Sequence, residues 1–344
     1  MTTISTPIAV TGGSGYLGSH CVQQLLEKGY TVHATTRKLE KAAHLKQLKN
    51  AETNLKIFVA DLLTPGSFEE AFQGCDAVLH TASPFFVGGD NYQKDVLLQP
   101  ALNGTTNVLE ACSKANVKRV ALTASTACIY VWYGKYDETH VMTEADWSDE
   151  EAVLKDENWY THSKIEAEKF AWEFSKKDSC TFKLSVMNPC LIVGPMLQPV
   201  LNTSCKAIAG FCSGAYPELT NECRSLVDVR DVARAHVNQI EKDLADESWG
   251  KRYCLVGGSP HWKDIAGWIL TYLKENEMET IAEKVPTKVS TKLNPPKIGA
   301  PPPHPLLYDV SRSETLLGLK YTPLEESIRE NVASLIELGF ISKN

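Results

Sequence analysis

The chain predicts a doubly wound α/β fold: a mostly parallel sheet covered by helices on both faces. Three observations carry that expectation. Short β-branched runs alternate with longer helical patterns over the first 190 residues, the signature of βαβ crossovers. A glycine cluster follows the first of these runs directly. And 344 residues with 43% hydrophobic and 22% charged side chains can bury a large core.

In chain order, residues 8–10 read as a strand, 15–28 as a helix, 31–35 as a strand and 38–49 as a helix. Residues 56–60 are strand-like, 64–72 helical and 77–80 strand-like. A helix over 103–115 precedes a strand at 119–123. A long amphipathic helix over 160–176 leads into a strand at 182–188. Beyond Gly194 and Pro195 the alternation loosens. Short helices, a strand at 252–256 and a proline-rich stretch near 295–303 precede a last helix at 324–338.

Gly12, Gly15 and Gly18 form a GxxGxxG spacing at the first strand-to-helix turn, with Tyr16 and Leu17 between the last two. Such a turn needs tolerance of positive φ and a backbone that a pyrophosphate can approach. The following helix N-terminus then presents free N–H groups and a positive dipole end. Glycine turns are common, but this one sits between a strand and an amphipathic helix, the context that gives the motif meaning. It makes the fold Rossmann-type and the ligand a dinucleotide.

An NAD-preferring site places Asp or Glu at the end of the second strand. Here Arg37 and Lys38 stand there and the first acid is Glu40. Arg37 can take a 2′-phosphate bidentately, with Lys38 or Lys41 adding charge, so NADPH/NADP+ is the expected cofactor. Asp61 and Leu62, after the third strand, can reach the adenine edge. Thr81, Ala82 and Ser83 form a small-residue turn where a cofactor can approach the backbone.

Tyr160 and Lys164 lie at i and i+4 of one helical pattern and face the same way. A nearby ammonium favours the phenolate and brings tyrosine toward acid–base work near neutral pH. Thr123 and Ser125 end a strand at the carboxyl edge, where open α/β sheets bind ligands. Ser125 can donate to a carbonyl oxygen as charge grows on it. His162 points away from Tyr160 and Lys164, which argues against a relay or ligand role, and Trp159 and Trp172 read as packing residues.

The chain resembles the extended short-chain dehydrogenase/reductases over nearly its whole length, and among them the dihydroflavonol reductase, cinnamoyl-CoA reductase and yeast-type aldehyde/ketone reductase group. The segments that carry this are TGGSGYLGSH (11–20), TTRKLEK (35–41), ADL (60–62), HTASP (80–84), NGTTNVLEAC (103–112), LTAST (122–126), NWYTHSK (158–164), NPCLIVGP (188–195) and VDVRDVARAH (227–236). The resemblance implies catalytic roles for Ser125, Tyr160 and Lys164. It places Arg37 and Lys41 at the 2′-phosphate, Pro189 and Ile192 beside the nicotinamide, and Asp231 in a supporting turn. Five residues past Ser125, where dihydroflavonol reductases carry a flavonoid-binding asparagine, this chain has Tyr130, as cinnamoyl-CoA reductases do.

The resulting expectation is an NADPH-dependent carbonyl reductase with a flat or aromatic substrate such as a cinnamaldehyde or cinnamoyl-CoA. The cofactor domain would span 1–194 with 225–258 returning to it. A smaller C-terminal substrate lobe would span 195–224 and 259–344. Pro84, Phe85, Tyr130 and Trp132 would join Ser125 in the substrate pocket. A 3β-hydroxysteroid-type dehydrogenase, a nucleotide-sugar epimerase/dehydratase and a non-catalytic NADP(H) sensor remain as alternatives.

The charge balance, 35 basic against 42 acidic residues for a net −7, argues against broad binding to nucleic acid or anionic membranes. No apolar run approaches the ~20 residues needed to span a bilayer, and no secretory leader pattern is evident. The ten cysteines are scattered, with no CxxC pair and no zinc spacing. They suit a reducing, cytoplasmic setting, and no metal is expected. A small-molecule substrate is the expected partner, on a monomer or homodimer.

Overall fold

The structure, a computed structural model, describes residues 6–83, 93–131, 139–290 and 302–342. Its strands are β1 Ile8–Thr11, β2 Val32–Thr36, β3 Leu55–Val59, β4 Ala77–His80, β5 Arg119–Thr123, β6 Val141–Met142, β7 Lys183–Pro189, β8 Leu191–Val193, β9 Leu226–Asp228, β10 Arg252–Leu255 and β11 Leu307–Tyr308. Its α-helices are α1 Tyr16–Glu27, α2 Ala51–Asn54, α3 Glu69–Phe72, α4 Lys94–Lys114, α5 Glu150–Lys155, α6 Trp159–Phe174, α7 Thr203–Ser213, α8 Val229–Ile240, α9 Trp262–Glu275, α10 Glu279–Ala282, α11 Ser311–Leu317 and α12 Leu324–Glu337.

Seven strands form one sheet in the order β10-β7-β5-β4-β1-β2-β3, and every neighbouring pair is parallel. The order reverses between β1 and β4. Connections therefore run outward on both sides and leave a crevice at the carboxyl ends of those two strands. The Rossmann-type sheet expected from the sequence is thus present. β1, β4 and β10 are buried at every position, as strands covered on both faces must be. β3, at the edge, is partly exposed throughout.

Helices α1 and α8 pack together on one side, and α4 and α6 on the other. Each pair seals its own apolar core: Val22, Leu25, Val232 and Val237 belong to one, Val108, Leu109, Ile165 and Phe174 to the other. The later helices α7, α9 and α12 extend the first core. Two parallel pairs, β8 with β9 and β6 with β11, stand outside the main sheet.

Three elements differ from the sequence expectation. Residues 38–49 form a 3₁₀ segment, Leu39–Gln47, in which only Ala42 and Leu45 are buried. A three-residue repeat stacks those two positions and leaves the rest in water. In the 64–72 stretch only Glu69–Phe72 is α-helical, because Ser67 is spent on the preceding turn, its hydroxyl donating to Asp61 O at 2.8 Å. Helix α4 begins at Lys94, nine residues before its expected start, and runs through Pro100. Burial of Leu97 and Ala101 against neighbouring elements outweighs the breaker rule.

Three of the buried histidines are held neutral inside this arrangement. Burial pushes His20 and His236 down to about 4 and His80 to about 3. In the unfolded chain each would take a proton near pH 6.5. The stability they permit is therefore complete above roughly pH 6.5 and lost as pH falls toward about 4. Thermal unfolding measured across this range should show Tm dropping steeply with acidification, and His236→Gln should flatten the slope. A Tm constant down to about pH 5 would mean that these rings are not held neutral.

Candidate active site

Gly12 follows β1 with φ +63°, a conformation that glycine adopts without a Cβ penalty. A Cβ on Gly18 would lie 2.2 Å from the Gly12 carbonyl oxygen, so helix and turn approach more closely than any side chain allows. Gly15 N donates back to Gly12 O at 2.8 Å, and Gly13 N to Thr35 O at 2.9 Å. Helix α1 starts with no side-chain cap and no acid in its first turn. Its first N–H groups lack intrahelical partners and carry the positive dipole end. This glycine-rich cradle fits a pyrophosphate. The Tyr16 hydroxyl donates instead to Gly194 O at 2.7 Å, and Leu17 is buried. Either residue could meet a phosphate only through its backbone.

Arg37 and Lys41 are exposed beyond the end of β2, open to an anion. Asp61 is committed locally, accepting from Leu63 N at 2.8 Å. Leu62 is fixed from α4: Asn107 Nδ2 donates to its carbonyl at 2.7 Å, and a Cβ on Gly104 would come within 3.1 Å of its side chain. On the crevice's other lip, Thr81 Oγ1 donates to Thr11 O at 2.6 Å and Ala82 N to Thr11 Oγ1 at 3.1 Å. These bonds tie the ends of β4 and β1 together beside Gly12.

Thr123 closes β5, its Oγ1 2.7 Å from His236 Nε2. His236 Nδ1 faces Val232 O at 2.7 Å, so Nδ1 carries the proton and the threonine hydroxyl donates to Nε2. Ser125 comes next, half-buried in extended backbone, its Oγ accepting from Ala127 N at 3.1 Å. The short 3₁₀ turn after it, Thr126–Cys128, packs against α6. That contact brings the serine segment to the helix carrying Tyr160 and Lys164.

Helix α6 starts with Asn158 capping it, the side chain accepting from Thr161 N. Tyr160 sits in the first turn, half-buried, and Lys164 one turn on is 9% exposed. The Lys164 ammonium lies 6.0 Å from the Tyr160 ring centroid and donates to Ser83 Oγ at 2.9 Å. Burial lowers its pKa, while the nearby Cys128 and Glu168 oppose that shift. Pro189 ends β7 in the buried interior, and Ile192 is half-buried on β8.

Three residues absent from the sequence reading complete the neighbourhood. Glu168 is fully buried on α6, one turn beyond Lys164. It accepts from Arg252 Nε at 2.6 Å, Asn188 Nδ2 at 2.8 Å and Trp172 Nε1 at 3.2 Å. Asn188 also donates to Ser125 O at 3.1 Å. The signal was available: positions 160, 164, 168 and 172 form one stripe, and a carboxylate in a buried stripe demands a partner.

The remaining candidates fall as follows. Tyr130 is buried in a small cluster with Ile129, Met142, Cys254 and Val256. His162 is buried beside Trp159, near Glu150 and Glu166. Lys169 supplies the cation there, 2.5 Å from Glu150 and 3.7 Å from Glu166. Pro84, Phe85 and Trp132 lie outside the described residues.

Residues 8–251 match the NAD dependent epimerase/dehydratase family. The chain is 39% identical over 339 residues to cinnamoyl-CoA reductase CAD2 of Medicago truncatula, covering 97% of this chain and 96% of that one. It is 31% identical to tetraketide alpha-pyrone reductase 1 of Arabidopsis thaliana, with 97% of each covered. Among solved structures it is similar to yeast methylglyoxal/isovaleraldehyde reductase Gre2 complexed with NADPH. That likeness has a TM-score of 0.79 and 29% identity, over 98% of this chain and 100% of that one.

The glycine cradle is open to direct test. Gly18→Ala should weaken dinucleotide binding by about tenfold or more and lower Tm, since its methyl group must displace the Gly12 carbonyl. Fluorescence titration with NADPH, beside a melting curve, measures both. Unchanged affinity would show that the close approach is not needed for binding.

Proposed function

The chain belongs to the NAD dependent epimerase/dehydratase family, of the extended short-chain dehydrogenase/reductase type, and it is an NAD(P)H-dependent oxidoreductase; from that premise we propose that it uses NADPH to reduce the carbonyl of a flat or aromatic aldehyde, ketone or acyl-CoA thioester. The observation that carries this reading is buried Lys164 beside Tyr160 on α6, a helix that packs against the 3₁₀ turn capped by Ser125. The relatives' names as cinnamoyl-CoA and tetraketide alpha-pyrone reductases support the substrate class.

The glycine turn at 12–18 would hold the pyrophosphate, Arg37 and Lys41 the 2′-phosphate, and Lys164 the nicotinamide ribose. Reduced nicotinamide, when bound, supplies the hydride. Ser125 Oγ and the Tyr160 hydroxyl donate to the substrate oxygen and stabilise the negative charge that grows on it. Tyr160 then gives its proton to that oxygen, and the adjacent Lys164 ammonium stabilises the phenolate left behind. Ser83 holds the ammonium in place at 2.9 Å. A cytoplasmic location accords with the unpaired cysteines, and among the described residues no helix is long and apolar enough to cross a membrane.

NADPH consumption against cinnamaldehydes, a cinnamoyl-CoA, a dihydroflavonol, small dicarbonyls and a ketosteroid tests the substrate class. Turnover confined to the ketosteroid, or none at all with NADPH bound, would sink the proposal. Tyr160→Phe should cut kcat by about 10²- to 10⁴-fold with NADPH affinity nearly unchanged, as equilibrium binding beside steady-state kinetics would measure. Arg37→Ala should raise the Kd for NADPH by about tenfold or more and leave that for NADH little altered. Equal losses for both nucleotides would remove Arg37 from the 2′-phosphate site.

A further inference from the structure

Lys164 is a buried cation whose charge the proposed chemistry requires, so something must hold that charge in a low-dielectric setting. The groups facing it come from four places. Tyr160 and Glu168 flank it on its own helix, one turn to either side. Cys128 approaches from the 3₁₀ turn after β5. His80 and Ser83 approach from β4 and the loop beyond it. Arg252 stands behind Glu168, on β10.

Among these, Ser83 is uncharged, His80 is held neutral with a pKa near 3 by burial, and burial pushes the Cys128 thiol well above its usual range. The carboxylate of Glu168, one helical turn from Lys164 and lining the same cleft, is the negative group that remains. It cannot rotate away, because Arg252 grips both oxygens at 2.6 and 3.3 Å and Asn188 and Trp172 donate to it as well. Arg252 is anchored in turn, its Nη1 donating to Glu144 O at 3.0 Å and Asp146 O at 2.7 Å. Its guanidinium lies 3.9 Å from the Trp147 ring centroid. Through Asn188, the same carboxylate is one hydrogen bond from the backbone oxygen of Ser125.

We infer that Glu168 is a positioning residue for the reaction: its clamped carboxylate keeps Lys164 charged and locks the Ser125 segment to the Tyr160 helix. This deepens the proposed function and rests on its assignment of Tyr160 and Lys164. Removing the negative charge while keeping the shape makes protons leave the Tyr160–Lys164 pair at lower pH. Wild-type reduction falls off at alkaline pH as that pair loses a proton, so the fall-off moves with it.

The test is the pH profile of kcat for NADPH-dependent reduction in wild type, Glu168→Gln and Glu168→Asp. In Glu168→Gln the alkaline limb should move down by about one pH unit. In Glu168→Asp, which keeps the charge, it should stay close to the wild-type position. If Glu168→Gln does not fold with Arg252 left unpaired, the double variant Glu168→Gln, Arg252→Met removes the orphaned cation, and its limb should still move down, by less than in the single variant because the lost Arg252 charge opposed that of Glu168. If turnover is too slow to fit, the tyrosinate ultraviolet difference spectrum against the matching Tyr160→Phe protein reads the same proton. An unmoved limb in the charge-removed protein, whatever its rate, overturns the inference. The underlying assignment fails separately, if Tyr160→Phe alone keeps full turnover.

Discussion

Arg252 and Glu168 meet out of water, at the junction of β10 with helix α6. Burying two charges costs several kcal/mol each, and their attraction recovers this only where the remaining donors and acceptors are also satisfied. Here Asn188, Trp172 and the carbonyls of Glu144 and Asp146 meet that condition. The pair also sets geometry. Successive residues turn by about 100° around a helix, so a small rotation of α6 would carry Tyr160 and Lys164 away from Ser125. An ion pair gripped from the sheet, two turns beyond Tyr160, forbids that rotation.

The carboxyl edge of the sheet follows the same logic with smaller groups. Gly12, Gly15 and Gly18 remove side chains where backbone meets backbone, and Thr11 binds the β4 loop through its hydroxyl and carbonyl. His236 accepts from Thr123 because burial keeps it neutral. At this edge the charges are Lys164 and the Arg252–Glu168 pair inside, and Arg37 and Lys41 outside. The arrangement suits a ligand with a phosphorylated end in water and a reacting end buried.

Several elements were legible in the chain because their signals are local. The parallel sheet follows from alternating apolar runs, and β4 and β5 occupy the residues expected of them. The glycine spacing, the basic end of β2 and the Tyr160/Lys164 pair needed only sequence distance and helix period. Other features depended on contacts between distant segments. Pro100 argues against a helix locally, yet α4 passes through it because Leu97 and Ala101 have a surface to bury against. Tyr16 belongs to the glycine motif, yet its side chain bonds to Gly194, 178 residues away.

By itself the sequence determined the fold class, the glycine turn after the first strand and the spacing that puts Tyr160 and Lys164 on one helix face, because each rests on residue type and short spacing. Tertiary structure alone decided which partners hold those groups. Glu168 is separated from Arg252 by 84 residues and Asn188 from Ser125 by 63. No period or motif links such positions. They meet because β5, β7 and β10 are neighbours in the sheet and α6 packs beside the turn that follows β5. A buried carboxylate satisfied by groups from two separate strands and its own helix becomes visible once those elements are placed together.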